Sequence, residues 1–245
     1  VDQNTKSVLK KIKIKNYYTY GFDKKANYRP INVNYKINNT TFDLKIKNTS
    51  SKNILIKNLQ LNLIGKHNVL NATAAIALSI NLGLKIDVIK QALKNFSGVQ
   101  RRLTKIFEKN NTVFYDDYAH HPTEIKSVLE GVKKVVVNKK IISVFQPHRY
   151  SRIKSLKKEF ASCFSNADIV VLCPVYPAGE KIDAKYNSFN FAKLISRFSK
   201  TQVILINSEI DLVNYLKKNL IKNEIVIGMG AGSISSWMYN LKNNL

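Results

Sequence analysis

Thr112-Val113-Phe114-Tyr115-Asp116-Asp117-Tyr118-Ala119-His120-His121-Pro122-Thr123 passes from four β-favouring residues, through a polar loop, to a proline suited to the first position of a helix. An amphipathic run continues to Val132. The same unit of apolar run, polar loop and amphipathic stretch then recurs: Ile141 to Phe145 with Ser155 to Phe164, Ile169 to Val175 with Phe189 to Phe198, Val203 to Ile206 with Glu209 to Leu220, and Ile225 to Gly228 with Ser233 to Leu241. Five β-α units in succession predict a mostly parallel sheet covered on both faces, with ligands beyond the carboxyl ends of the strands. The polar motifs fall there. Asp116 to His121 follows the first strand, Gln146-Pro147-His148-Arg149 the second, Pro174 to Glu180 the third and Gly228-Met229-Gly230-Ala231-Gly232 the fifth.

Upstream the rhythm differs. Ile31 to Ile37 and Thr41 to Ile46 alternate apolar with polar residues, and Asn38-Asn39 between them suits a hairpin turn. Asn68 to Leu82 is alanine-rich and apolar at helical spacing, Gly83 ends it, and Asp87 to Phe96 reads as a second, shorter helix. The change near residue 104 separates a β ribbon with helices, residues 1–103, from the α/β part, residues 104–245. The class is α/β throughout.

The chain has 245 residues, of which 44% are hydrophobic and 23% charged, with nine Gly and five Pro. That is enough apolar content for a buried core and excludes a fibrous or disordered chain. The longest apolar stretches are strand-sized, so no membrane-spanning helix is expected. The net charge of +24 would ordinarily point to nucleic acid. Its lysines are dispersed through nearly every segment, however, which reads as compositional bias rather than a binding face. Cys163 and Cys173 provide neither a disulfide framework nor metal-ligand spacing, which suits a reducing cytoplasm. The run from Val1 to Lys15 lacks the apolar core of a signal peptide, and a chain opening on Val1 looks excised from something longer.

The scarce residues point to chemistry. All four histidines lie in three short segments, at His67, at His120-His121 and at His148, and four of the six arginines cluster as Arg101-Arg102 and Arg149/Arg152. In a chain that uses lysine for generic positive charge, arginine's rigid donor fork marks anion recognition. Arg149 and Arg152 lie about one helical turn apart, so both can face one carboxylate. Asn68 and Asn71 share a helix face, and their amides can match the edge of adenine, or Asn68 can be a plain N-cap. Gly228 to Gly232 resembles a dinucleotide fingerprint but is shorter and leaves no room for the acidic residue a second strand would supply, so it reads instead as a tight turn at the ligand edge.

Taken together, Gly65-Lys66-His67-Asn68-Val69-Leu70-Asn71-Ala72, Gly98-Val99-Gln100-Arg101-Arg102, Asp116 through Glu124, Phe145 through Arg152 and Val175-Tyr176-Pro177-Ala178-Gly179-Glu180, with Tyr20-Gly21-Phe22 near the start, resemble the Mur ligases of peptidoglycan synthesis. The resemblance runs in order through most of the chain, and the combination is specific where each motif alone is not. It implies the carboxyl-terminal part of a central ATPase domain followed by a Rossmann-like terminal domain. It also implies an ATP-dependent ligase that joins L-alanine to the carboxylate of UDP-N-acetylmuramate through an acyl phosphate, with Mg²⁺ as cofactor. Asn68 and Asn71 would contact adenine, Arg102 the nucleotide phosphates and Asp117 the ribose. Tyr118, His120, His148, Arg149 and Arg152 would shape the amino-acid pocket, the arginines holding the alanine carboxylate.

The chain departs from the family pattern in two respects. It has no Gly-Lys-Thr or Gly-Lys-Ser and no acidic metal-binding segment, elements the family carries upstream, so the chain alone is expected to be inactive. Ala119 also stands where the family has glycine, which would restrict the loop if that position needed a positive φ. The competing class is a non-catalytic basic binding module of the same fold.

Overall fold

Alternating burial along the first strands follows from a sheet that covers a core with one face only. The computed structural model describes residues 17–36, 39–47, 53–136, 138–183 and 187–245. The Val1 to Lys15 run and Asn38 of the expected turn lie outside them. The chain divides into two compact units between Gly98 and Val99.

In the first unit, β1 (Tyr28–Lys36), β2 (Asn39–Ile46) and β3 (Ile54–Leu61) form an antiparallel meander. Along β2, Thr40, Phe42, Leu44 and Ile46 are buried while the residues between them are not, the period-two signature of a strand with one buried face. The helices α1 (Lys66–Asn81) and α2 (Ile86–Asn95) cover that face, packing Val69, Ile76 and Ile89 against Phe42, Leu44, Ile56 and Leu59.

The second unit contains β4 (Thr104–Lys109), β5 (Thr112–Asp117), α3 (Pro122–Val135), β6 (Lys140–Phe145), α4 (Tyr150–Ser155), α5 (Lys157–Ser162), β7 (Ile169–Leu172), α6 (Ser188–Ser199), β8 (Gln202–Leu205), α7 (Glu209–Asn219), β9 (Glu224–Met229) and α8 (Ile234–Asn244). The sheet order is β4-β5-β9-β6-β7-β8, parallel from β5 to β8 with β4 antiparallel at the edge. Successive residues serve opposite cores. Val113, Ile141, Val170 and Ile225 pack on one side with Phe145, Phe160 and Phe164, whereas Phe114, Ile142, Val171 and Val226 pack on the other with Leu212, Met238 and Leu241. Every residue of β9 is buried, as a central strand covered on both sides requires.

Two features differ from the sequence reading. The edge strand β4 was not expected; Asn110 and Asn111, with φ of 49° and 65°, link it to β5 by a two-residue turn in which both residues adopt the left-handed conformation that asparagine tolerates. The helix expected over 155–164 begins earlier, at Tyr150, and is broken at Leu156, whose φ of −119° and ψ of 29° leave helical geometry and separate α4 from α5. No helix is long and apolar enough to cross a membrane among the described residues.

Candidate functional site

The strand order determines which loops meet. From β5 the chain passes to β6, steps outward through β7 and β8, and returns as β9 between β5 and β6, so the carboxyl ends of β5, β9 and β6 lie side by side. Gly230 N–H donates to Asp117 O (3.2 Å) and Gln146 N–H to Met229 O (3.0 Å), continuing the pairing past the strand ends.

Arg101 anchors the first loop. Its Nη2 donates to Gly230 O (2.6 Å), its Nε lies 3.4 Å from the buried Asp116 Oδ2, and its guanidinium stacks 4.7 Å over the Tyr118 ring. Ser235 Oγ donates to the same Asp116 oxygen (2.6 Å). Arg101 and Leu103 have φ of 60° and 49°, a conformation that costs a non-glycine residue about 1–2 kcal/mol. Surrounding bonds over-determine it: Tyr118 N–H donates to Arg101 O (2.7 Å), and the Asp117 carboxylate accepts from Leu103 N–H and Ala119 N–H, both at 2.7 Å. Burial pushes Asp117 up to about 6 against the pull of those two amides and of Arg102. Ala119 is buried without a positive φ, so its methyl restricts nothing.

Pro122 opens α3 as its sequence position predicts, and His121 caps it. The His121 ring accepts from Thr123 N–H, while Glu124 reaches back to the amides of His120 (3.2 Å) and His121 (3.3 Å), a reciprocal capping box. Glu124 also lies 3.7 Å from Arg102 Nη1 and 3.7 Å from His120 Nδ1. Burial raises its carboxyl, but the two amides, His120 and Arg102 outweigh that and hold it below the usual range. His120 Nδ1 stands 2.8 Å from Tyr118 O, and its ring lies edge-on to Tyr118 and to His148, with centroids 5.0 and 5.9 Å away.

Beyond β6, His148 stacks on Tyr176 with centroids 5.5 Å apart. Burial, then the charge of Arg152, holds its imidazole below the usual histidine value, so it is neutral at pH 7. Arg152 Nη1 donates to His148 O and lies 3.3 Å from its Nδ1. Arg149 turns elsewhere, its Nε 3.4 Å from Glu180 Oε1. The two arginines that the spacing predicts to share one carboxylate therefore have separate partners. Glu180 was not singled out in the sequence as a site residue. It also accepts from Ser151 N–H (3.0 Å) and Ser151 Oγ (2.5 Å); its place at the end of the Val175 to Glu180 segment was the signal that could have found it.

The glycine run makes room for protein. A Cβ on Gly228 would lie 2.2 Å from Met238 Cγ, one on Gly230 2.8 Å from Gln146 O, and one on Gly232 2.5 Å from Gln146 Oε1. With φ of 150° at Gly230, this is a tight turn closed by its own neighbours, and Gln146 bridges to Ser233 Oγ (3.0 Å) and Ile234 N–H (3.0 Å) across it.

In the first unit, Gly65 precedes α1 with φ of 109°, and a Cβ there would meet the His67 ring at 2.7 Å. Asn68 is not the N-cap: Gly65 holds that position, and Asn68 Nδ2 donates back to Ile64 O (2.8 Å). Asn71 is exposed on the same helix. Lys66 Nζ sits 5.0 Å over Phe22 of the Tyr20-Gly21-Phe22 segment. Cys163 and Cys173 are buried free thiols, and burial pushes both up, which leaves them inert. Among the described residues no three His, Cys, Asp or Glu side chains come together to hold a metal ion.

Known proteins are similar to this chain in sequence and fold. Residues 101–232 match the family described as "Mur ligase, glutamate ligase domain", and residues 1–79 match "Mur ligase middle domain". A protein named UDP-N-acetylmuramate--L-alanine ligase from Pelagibacter ubique (strain HTCC1062) is 48% identical over 98% of this chain and 52% of its own length. One of the same name from Rickettsia felis (strain ATCC VR-1525 / URRWXCal2) is 39% identical over 93% of this chain and 48% of its own. The crystal structure of UDP-N-acetylmuramate-alanine ligase from Thermotoga maritima superposes with a TM-score of 0.74 at 28% identity, over 92% of this chain and 47% of that one. The chain spans about half the length of the curated relatives it matches.

Proposed function

The chain belongs to the Mur ligase family, and on that premise we propose that it is part of an ATP-dependent ligase joining L-alanine to the carboxylate of UDP-N-acetylmuramate in peptidoglycan precursor synthesis. Residues 1–103 are assigned to the central ATPase domain and 104–245 to the terminal domain. The observation that carries the reading is the cluster of Tyr118, His120, His148 and Arg152 at the carboxyl end of the parallel sheet, in a chain 48% identical to a relative of that name.

In this reading the muramate carboxylate attacks the γ-phosphate of ATP, and the amine of alanine displaces phosphate from the resulting acyl phosphate. The contribution of this chain is placement. Arg152 binds the alanine carboxylate, Arg149 stands beside it, and Tyr118, His120 and His148 wall the pocket. For the nucleotide, Asn68 and Asn71 are assigned to adenine, Arg102 to phosphate and Asp117 to ribose. Both Asp117 oxygens already accept amides, so its larger contribution is to fix the backbone on either side of Arg102 and Tyr118. Mg²⁺ would supply charge neutralisation at the transferring phosphoryl group in such chemistry. The phosphate-binding loop is absent from this sequence, and no turnover is expected from this chain alone.

The test is phosphate release from ATP that depends on both L-alanine and UDP-N-acetylmuramate, measured on the native protein. Arg152→Ala should raise KM for L-alanine about 10- to 100-fold, the range for losing hydrogen bonds to a charged group, while leaving KM for ATP nearly constant. Equal losses for both substrates would overturn the assignment of Arg152.

A further inference from the structure

The charges around the amino-acid pocket do not balance uniformly. Arg101 has Asp116 at 3.4 Å, Arg102 has Glu124 at 3.7 Å and Arg149 has Glu180 at 3.4 Å. Of the four clustered arginines, Arg152 alone has no carboxylate within 4 Å among the described residues; it donates to the carbonyl of His148 and lies against its ring, and Glu124 and Glu180 act on it only from beyond that distance. The His148 ring adds no second positive charge at neutral pH, being held below its usual value by burial and by Arg152. Glu180 is a fixed charge rather than a loose one, since the amide and hydroxyl of Ser151 hold it against Arg149.

We propose that Glu180 is a specificity-determining residue: by neutralising Arg149 it leaves Arg152 as the single unmatched guanidinium, so that the pocket accepts an amino acid with one carboxylate and rejects dicarboxylic ones. A pocket with two unmatched arginines would welcome the second carboxylate of aspartate or glutamate, whereas a fixed carboxylate beside the bound substrate repels it. Like charges brought together during recognition are costly enough to select against a partner. The inference deepens the L-alanine reading and rests on it.

The experiment uses the full-length ligase and compares kcat/KM for L-alanine with that for L-aspartate and L-glutamate. Glu180→Gln should lower the preference for alanine over aspartate by about tenfold or more, the size of one charge interaction of roughly 1.4 kcal/mol. An unchanged preference in a variant that still uses alanine would overturn the proposal. A purely structural role for Glu180 would lower both rates together and leave their ratio fixed. If Glu180→Gln fails to fold, Arg149→Gln decides: it leaves the Glu180 charge unpaired beside the substrate, so the preference for alanine over aspartate should rise, and an unchanged preference would overturn the proposal. Absence of alanine-dependent activity in the wild-type protein would count against the ligase reading itself and is seen before any variant is made.

Discussion

The two units solve the same burial problem in opposite ways. In the first, a three-stranded meander buries alternate residues of β2 under α1 and α2. In the second, β9 is buried along its whole length, and neighbouring residues such as Ile225 and Val226 enter different cores. A sheet covered on both faces has no face left for a ligand, so its chemistry is displaced to the strand ends, where the side chains are locked by bonds between loops. In the first unit the motif residues sit on a helix instead. The Asn71 side chain is exposed there and makes no hydrogen bond with the described residues.

The largest expected effect would break this contrast outright. Ile225→Asp and Val226→Asp, on opposite faces of β9, should each destabilise the protein by more than about 4 kcal/mol, because either places an unpaired charge in a core. On β2, Leu44→Asp should do the same, while its neighbour Lys45→Asp should change stability by less than about 0.5 kcal/mol. Urea denaturation of the four variants measures this; tolerance of either β9 change would end the two-sided description.

A smaller effect concerns the locked loops. The folded-state value of Asp117, about 6, lies above its ordinary 3.8, so the folded protein binds this proton more tightly than the unfolded chain. The associated stability is fully present below pH 3.8 and is lost as pH rises through about 6, a swing on the order of 2–3 kcal/mol. Asp117→Asn should flatten that part of the pH dependence of stability. An identical slope in wild type and variant would show that the carboxylate titrates normally.

The smallest effect sharpens the contrast from the other side. Asn71→Ala should alter stability by less than about 0.5 kcal/mol, since it removes no internal bond from an exposed helix position. In the full-length protein it should nevertheless raise KM for ATP, which steady-state kinetics would show. A large loss of stability would mean that Asn71 has a structural partner.

Much of this was legible in the sequence because burial imposes a period. The runs Ile141 to Phe145 and Ile225 to Gly228 announce two-sided strands, Thr41 to Ile46 a one-sided one, and Pro122 a helix start. The edge strand β4 was not read because Thr104–Lys109 carries four charged or polar side chains among six partly or fully exposed residues; the clue was Asn110-Asn111, a pair suited to a tight hairpin turn. The positions of Arg101, Arg102, Arg149 and Arg152 were legible, but their pairing was not. Glu180 meets Arg149, and Asp116 meets Arg101, through strand order, which is a property of the whole sheet and has no local signal. Gly228 to Gly232 was legible as a tight turn, but the neighbours that close it, Met238 and Gln146, were not.

The strand order also sets a timetable. β9 stands between β5 and β6, yet a ribosome makes it after every other strand of that sheet. Until it emerges, Asp117 and Phe145 have no common neighbour, Arg101 has no Gly230 carbonyl, and Asp116 has no Ser235 to satisfy it. This edge of the sheet thus assembles in one late event rather than loop by loop, and contacts this distant in sequence form slowly. A nascent chain stalled before Glu224 would expose two apolar strand edges, those of β5 and β6, the kind of surface that invites aggregation.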